Sequence, residues 1–153
     1  MKELDFLPKM TIFIRAADSL IWGQNLGKDG DYVLNAPGWS PQLKFPGVSQ
    51  VVDEHQATYN KSAEALVGAA YAAVQVLFDA VNRAGKPDRS AVRDAIAATN
   101  MMTVAGPVTF NPDGTSPMIT VFNQWLSSKQ ALVWPKDQAP QPPSFPAKAW
   151  TDR

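Results

Sequence analysis

The sequence predicts an α/β fold of short strands, a pair of helices joined as an αα-hairpin, and a C-terminal β-hairpin. Three observations carry this expectation. First, brief apolar, β-branched runs such as Met10-Thr11-Ile12-Phe13-Ile14 sit between proline and glycine breaks, as buried strands do. Second, an alanine-rich apolar segment from Ala63 to Ala84 closes at Gly85 and Pro87, and a capped helix pattern follows at once. Third, two further strand-like runs flank Asn111-Pro112-Asp113-Gly114, where proline presets φ and glycine accepts a positive one.

In chain order, Met10–Ile14 reads as a buried strand. Ala17-Asp18-Ser19 can cap a short helix through Leu20, Ile21 and Trp22 towards Leu26, stopped by Gly27. Asp31–Asn35 reads as a second strand, and residues 37–46, with three prolines, as a loop. A helix is expected from Val48 to Tyr59 or Asn60. The Ala63–Ala84 helix comes next and is apolar nearly all round, so it needs cover on more than one side. Asp88 is a good N-cap for a helix from Arg89 to about Thr99, joined to its predecessor by the short Gly85-Lys86-Pro87 turn. Gly106–Phe110 and Met118–Trp125 then read as strands around the Asn-Pro-Asp-Gly turn. Ala131–Trp134 adds a third after Ser127-Ser128-Lys129. Residues 1–134 are thus expected to form one α/β body. Residues 135–153 form a proline-rich extended tail, lying on the body through Trp134, Phe145 and Trp150.

Composition removes several classes of function. The chain has 153 residues, 45% of them hydrophobic and 18% charged, which suits one globular domain and not a disordered chain. Fourteen Lys and Arg balance fourteen Asp and Glu, so there is no basic excess to bind nucleic acid. No cysteine is present, which excludes disulfides, thiolate nucleophiles and cysteine zinc sites. His55 is the only histidine and lies in no ligand spacing, so a Ser-His-Asp arrangement or an imidazole metal centre has little to work with. Asp53, Glu54 and Asp79 show no carboxylate partner, and Gly23, Gly27 and Gly30 make no phosphate loop. An enzyme is disfavoured, and no cofactor or metal is expected. The N-terminus does not read as a signal peptide, and Ala65–Val81 falls short of the roughly 20 strongly apolar residues of a membrane span.

The order of several motifs resembles a known family. They are Tyr71-Ala72-Ala73-Val74, Asp79–Gly85, Asp88–Ile96, Gly106–Gly114, Val121–Trp125, Val133-Trp134-Pro135 and the ending Phe145–Trp150. In this order and spacing they look like the C-terminal part of a type I periplasmic binding protein, closest to the branched-chain amino-acid (Leu/Ile/Val-binding) receptors of ABC importers. Leu7–Met10 through Gly38–Pro41 resembles the last strands of that family's second lobe. The resemblance implies binding without catalysis: two lobes close on a small ligand, which is delivered to an ABC permease. It also implies a periplasmic or exported setting, with the cytoplasm as the alternative if 153 residues are a complete gene product.

A complete family member is well over twice this length, which makes the expected fold a partial one. By resemblance, Ala63–Thr99 packs on the first lobe, whereas Met10–Asn35 and Gly106–Trp125 belong to the second. The Ala63–Ala84 helix would then lack the sheet it covers. At about 25 cal/mol per Å² of apolar surface, that exposure drives association. A homodimer or higher oligomer is therefore expected to complete the fold.

Ligand-site candidates are Arg15, Asp18 and Trp22, where the fragment reaches the family's cleft. Arg15 can pair bidentately with a carboxylate and Asp18 with an ammonium, which fits an amino acid or related small carboxylate. The plainer alternative is a strand-end arginine and a helix-capping aspartate. Tyr71 reads as a core residue. Two functions follow: a segment of an amino-acid-type solute-binding protein, or a stand-alone, self-associating descendant with ligand binding lost or remade at a subunit interface.

Overall fold

The computed structural model describes all 153 residues. Its elements in chain order are β1 (Thr11–Phe13), α1 (Ile21–Leu26), β2 (Val33–Asn35), α2 (Val48–Tyr59), α3 (Ala65–Ala84), α4 (Arg89–Ala97), β3 (Asn100–Thr103), β4 (Gly106–Thr109), β5 (Phe122–Leu126) and β6 (Lys129–Trp134). They fall into two compact units. Unit 1 comprises Met1–Leu43 and Thr120–Arg153, and unit 2 is the intervening Lys44–Ile119.

Unit 1 holds a four-stranded sheet in the order β1-β2-β5-β6. β1 and β2 run parallel, Ile12 opposite Leu34, whereas β5 is antiparallel to both β2 and β6. The parallel pair needs a crossover, and α1 supplies it. Strand alternation sorts the sheet's side chains. Phe13, Val33, Asn35, Asn123 and Trp125 share one face, and Ile12, Leu34, Phe122 and Gln124 share the other. On the first face Ala17, Val33 and Trp125 form a buried core, with Phe13, Leu20 and Trp22 packed around it. α1 lies very close to this core because Gly23 has no side chain: a Cβ there would stand 2.4 Å from the Trp125 ring and 2.5 Å from the Ser128 carbonyl. The β5–β6 hairpin turns through Ser127 and Ser128, both at positive φ, and the Ser128 N–H donates to the buried Asp31 carboxylate at 2.8 Å.

The tail beyond Trp134 belongs to unit 1, but burial of Trp134 and Phe145 is not what fastens it. Trp134 is 50% and Phe145 62% exposed. Polar bonds hold it instead. The Gln124 amide donates to the Ser144 carbonyl (2.9 Å) and accepts from the Ser144 N–H (2.7 Å), and the Ala147 N–H donates to the Lys9 carbonyl (2.9 Å). At the end, the Arg153 guanidinium lies 3.8 Å over the Trp150 ring and donates to the Asp31 carbonyl.

Unit 2 contains the three longer helices, α2, α3 and α4. α2 follows its expected span, and Asn60 closes it in the left-handed conformation. α3 ends at Gly85, also left-handed, after which the chain turns into α4. Asp88 caps α4 as its sequence position predicts, accepting from the Ala91 N–H at 2.9 Å. An Asp88→Ala variant should lose about 1 kcal/mol of stability in urea unfolding, as N-cap removals do; an unchanged midpoint would mean the cap contributes nothing.

Three sequence expectations need correction here. Gly106–Thr109 does not join the Met10–Asn35 strands. It pairs instead with β3, a strand the sequence did not reveal, across the two-residue turn Val104-Ala105. That hairpin closes a much shorter loop than pairing with β5 would, and Thr103 Oγ1 reinforces it by donating to the Gly106 carbonyl at 2.9 Å. The Asn111–Gly114 turn forms as read but does not link paired strands. In it, the backbone N–H of Thr115, then its hydroxyl, hold the Asp113 carboxyl below its ordinary 3.8. Lastly, α3 is long and apolar enough, by length and composition alone, to cross a membrane. In unit 2 it instead buries one face, Ala65, Gly68, Ala72, Val76 and Ala80, and packs beside α4.

The opposite face of α3 is bare. Leu66, Tyr71, Val74, Leu77, Phe78 and Val81 are all at least 37% exposed. At 100° per residue they fall within an arc of about 140° and run for about 22 Å. Tyr71 therefore stands on an open apolar stripe and is not a core residue.

Candidate functional site

The site is the turn that follows β1. A strand that leaves its sheet strands backbone carbonyls, and a buried carbonyl must find donors. Ala17 is fully buried, and three side chains converge on its carbonyl: the Trp125 indole at 2.8 Å, the Asn35 amide at 2.9 Å and the Gln130 amide at 3.3 Å. Gln130 also donates to the Asp18 carbonyl at 2.9 Å and accepts from Asn123 Nδ2 at the same distance. The turn is thus fastened from β2, β5 and β6 together. Beneath it, Asn35 and Asn123 face each other in register, each with a buried Oδ1 that has no protein partner.

On this fastened turn stand Arg15 and Asp18. Arg15 Nε lies 3.3 Å from Asp18 Oδ2. The arginine side chain is 62% exposed and the aspartate 18%. The pair offers a cation and an anion side by side at the surface, a pattern complementary to a zwitterion. Asp18 does not cap α1: Leu20 holds the cap position, and only Ser19 Oγ accepts, weakly, from the Ile21 N–H at 3.4 Å. Trp22 is tied down elsewhere. Its indole donates to the Gly30 carbonyl at 3.0 Å, and its ring sits 5.7 Å from that of Phe13. The structure thus brings Arg15 and Asp18 together and places Trp22 in the packing behind the turn.

Sequence reasoning missed the supporting residues Asn35, Asn123, Trp125 and Gln130. A signal was present: Asn123 and Gln124 interrupt an apolar strand between Phe122 and Trp125, and a buried polar residue in a strand needs a partner. The remaining candidates are ordinary. His55 lies on α2 with Nδ1 2.9 Å from the Lys61 carbonyl, and its ring tilts against that of Tyr59. Asp79 pairs with Arg83 at 2.7 Å, and Glu54 accepts from Gln50 at 2.9 Å. No three His, Asp or Glu side chains come together to hold a metal.

The family model described as periplasmic binding protein matches residues 1–125. This chain belongs to that family, whose members are periplasmic solute-binding proteins. Solved structures agree on the fold. The leucine-binding protein LivK of Thermotoga maritima superimposes with a TM-score of 0.75 at 23% identity, covering 86% of this chain and 38% of that one. A putative branched-chain amino-acid ABC transporter protein of Silicibacter pomeroyi gives 0.74 at 17% identity, over 88% and 40%. LivJ of Streptococcus pneumoniae, solved with isoleucine, gives 0.60 at 18%, over 69% and 31%. The chain therefore has a partial periplasmic-binding-protein fold and spans between 31% and 40% of the length of these proteins.

Proposed function

We propose that this chain is a segment of an ABC-importer solute-binding protein that takes an amino acid or a related small carboxylate and performs no catalysis. The observation that carries this reading is the Arg15–Asp18 pair on a turn held by three donors at one carbonyl. Arg15 would meet the ligand's carboxylate and Asp18 its ammonium, with Trp22 backing the turn. A fastened turn loses little conformational freedom on binding, so more of the charge pairing is retained as affinity. In this reading the solute is bound in the periplasm and passes to an ABC permease in the membrane.

The test is a thermal-shift panel of amino acids and small carboxylates on the whole chain. A ligand at one hundred times its Kd should stabilise by about 2.7 kcal/mol, and Arg15→Ala should remove that shift. A flat panel, or a shift that Arg15→Ala leaves intact, would overturn the assignment.

The bare face of α3 supports a second reading, a stand-alone module that self-associates. Two antiparallel copies centred between Ala73 and Val74 would set Ala70 against Leu77 and Leu66 against Val81. Ala70 and Ala73 are themselves exposed, so small residues can receive large ones. Light scattering should then give at least twice 16.6 kDa, and a Leu77→Glu, Phe78→Glu double variant should return the monomer mass. A wild-type mass of 16.6 kDa across the micromolar range would sink the second reading.

A further inference from the structure

Unit 1 contains a formed cleft on the sheet face that Ala17 does not cover. Its volume is about 560 Å³, within the roughly 300–1,000 Å³ of small-molecule sites. The floor is Ile12, Leu34, Phe122 and Val133 from four adjacent strands, and Phe145 on the tail forms a wall. The wall is fixed in place by the paired bonds between Gln124 and Ser144 and by the bond from Ala147 to the Lys9 carbonyl. Those two Gln124 bonds use up both ends of the one polar side chain on the sheet floor. What remains is an apolar trough with one charged residue in its lining, Lys9, and no carboxylate.

That combination selects a ligand. We propose that the cleft binds a small amphiphilic carboxylate, its aliphatic or aromatic body on the sheet floor and its anionic end at Lys9. Burial of the body supplies the affinity, and the single cation supplies the preference for a negative head group. A neutral or cationic amphiphile gains the same burial without the pairing. The inference does not depend on the Arg15–Asp18 assignment, since the two sites lie on opposite faces of the sheet and share no lining residue.

The experiment is a titration of the full chain with decanoate, and separately with decyltrimethylammonium, followed by ¹H–¹⁵N NMR. The Trp134 indole and the amides of Ile12, Leu34 and Phe145 report on the cleft, and the α3 amides report on non-specific adsorption to the bare stripe. Decanoate should move the cleft signals saturably and bind more tightly than the cationic probe. Lys9→Glu, an exposed change, should weaken decanoate about 3- to 10-fold and strengthen the cationic probe. Ile12→Glu should abolish decanoate shifts in the cleft while the dispersed spectrum shows an intact fold. The proposal is overturned if both probes bind alike, if Lys9→Glu changes neither, or if shifts are confined to α3. Cleft signals that already move with protein concentration, without decanoate, would also overturn it by making a second copy the occupant.

Discussion

Trp125→Ala is expected to cost about 3–5 kcal/mol of stability, the range for removing a large buried aromatic. The indole is 1% exposed and packs on Ala17 and Val33, with Gly23 of α1 pressed against its ring. Its N–H is one of the donors on the Ala17 carbonyl, so the truncation opens a cavity and loosens the Arg15–Asp18 turn at once. Trp125→Phe separates these effects. It keeps most of the ring, and Asn35 and Gln130 still serve the carbonyl, so its polar cost should lie near 1 kcal/mol. Urea denaturation followed by far-UV circular dichroism measures both. A loss below about 1 kcal/mol for the alanine variant would contradict the packing described here.

Gly23→Val should destabilise by about 3 kcal/mol or more, at the upper end for overpacking. Two obstacles meet the new Cβ, the Trp125 ring at 2.4 Å and the Ser128 backbone carbonyl at 2.5 Å. A ring can be trimmed and a backbone carbonyl cannot, so the two contributions are separable by a double-mutant cycle. In a Trp125→Ala background the valine should cost less than in wild type, with a coupling of about 1 kcal/mol or more. Additive costs would mean that α1 moves away as a body and that glycine is not what sets its distance from the sheet.

Much of the local structure was legible from residue order. Val48–Tyr59, the end of α3 at Gly85 and the Asp88 cap all follow from neighbours within a turn or two, where capping and glycine chemistry act. That Arg15 and Asp18 lie close together follows as locally, since they are three residues apart on a strand exit. The supporting side chains were not. Asn35, Trp125 and Gln130 come from strands up to 113 residues away from Ala17, and only the folded sheet brings them to one carbonyl.

The sequence by itself determined the span of α2, where α3 stops and where α4 starts, that the strands are short, and that α3 is apolar on both faces. Those properties depend on local backbone preference and on periodicity. Only the tertiary structure decided the rest. It paired Gly106–Thr109 with Asn100–Thr103 instead of with the strand after the Asn-Pro-Asp-Gly turn. It also chose which face of α3 is covered, leaving Leu77 and Phe78 open and burying Val76 and Ala80. Strand partners and helix faces are chosen by loop closure and by what lies opposite, and neither quantity is written in a run of adjacent residues.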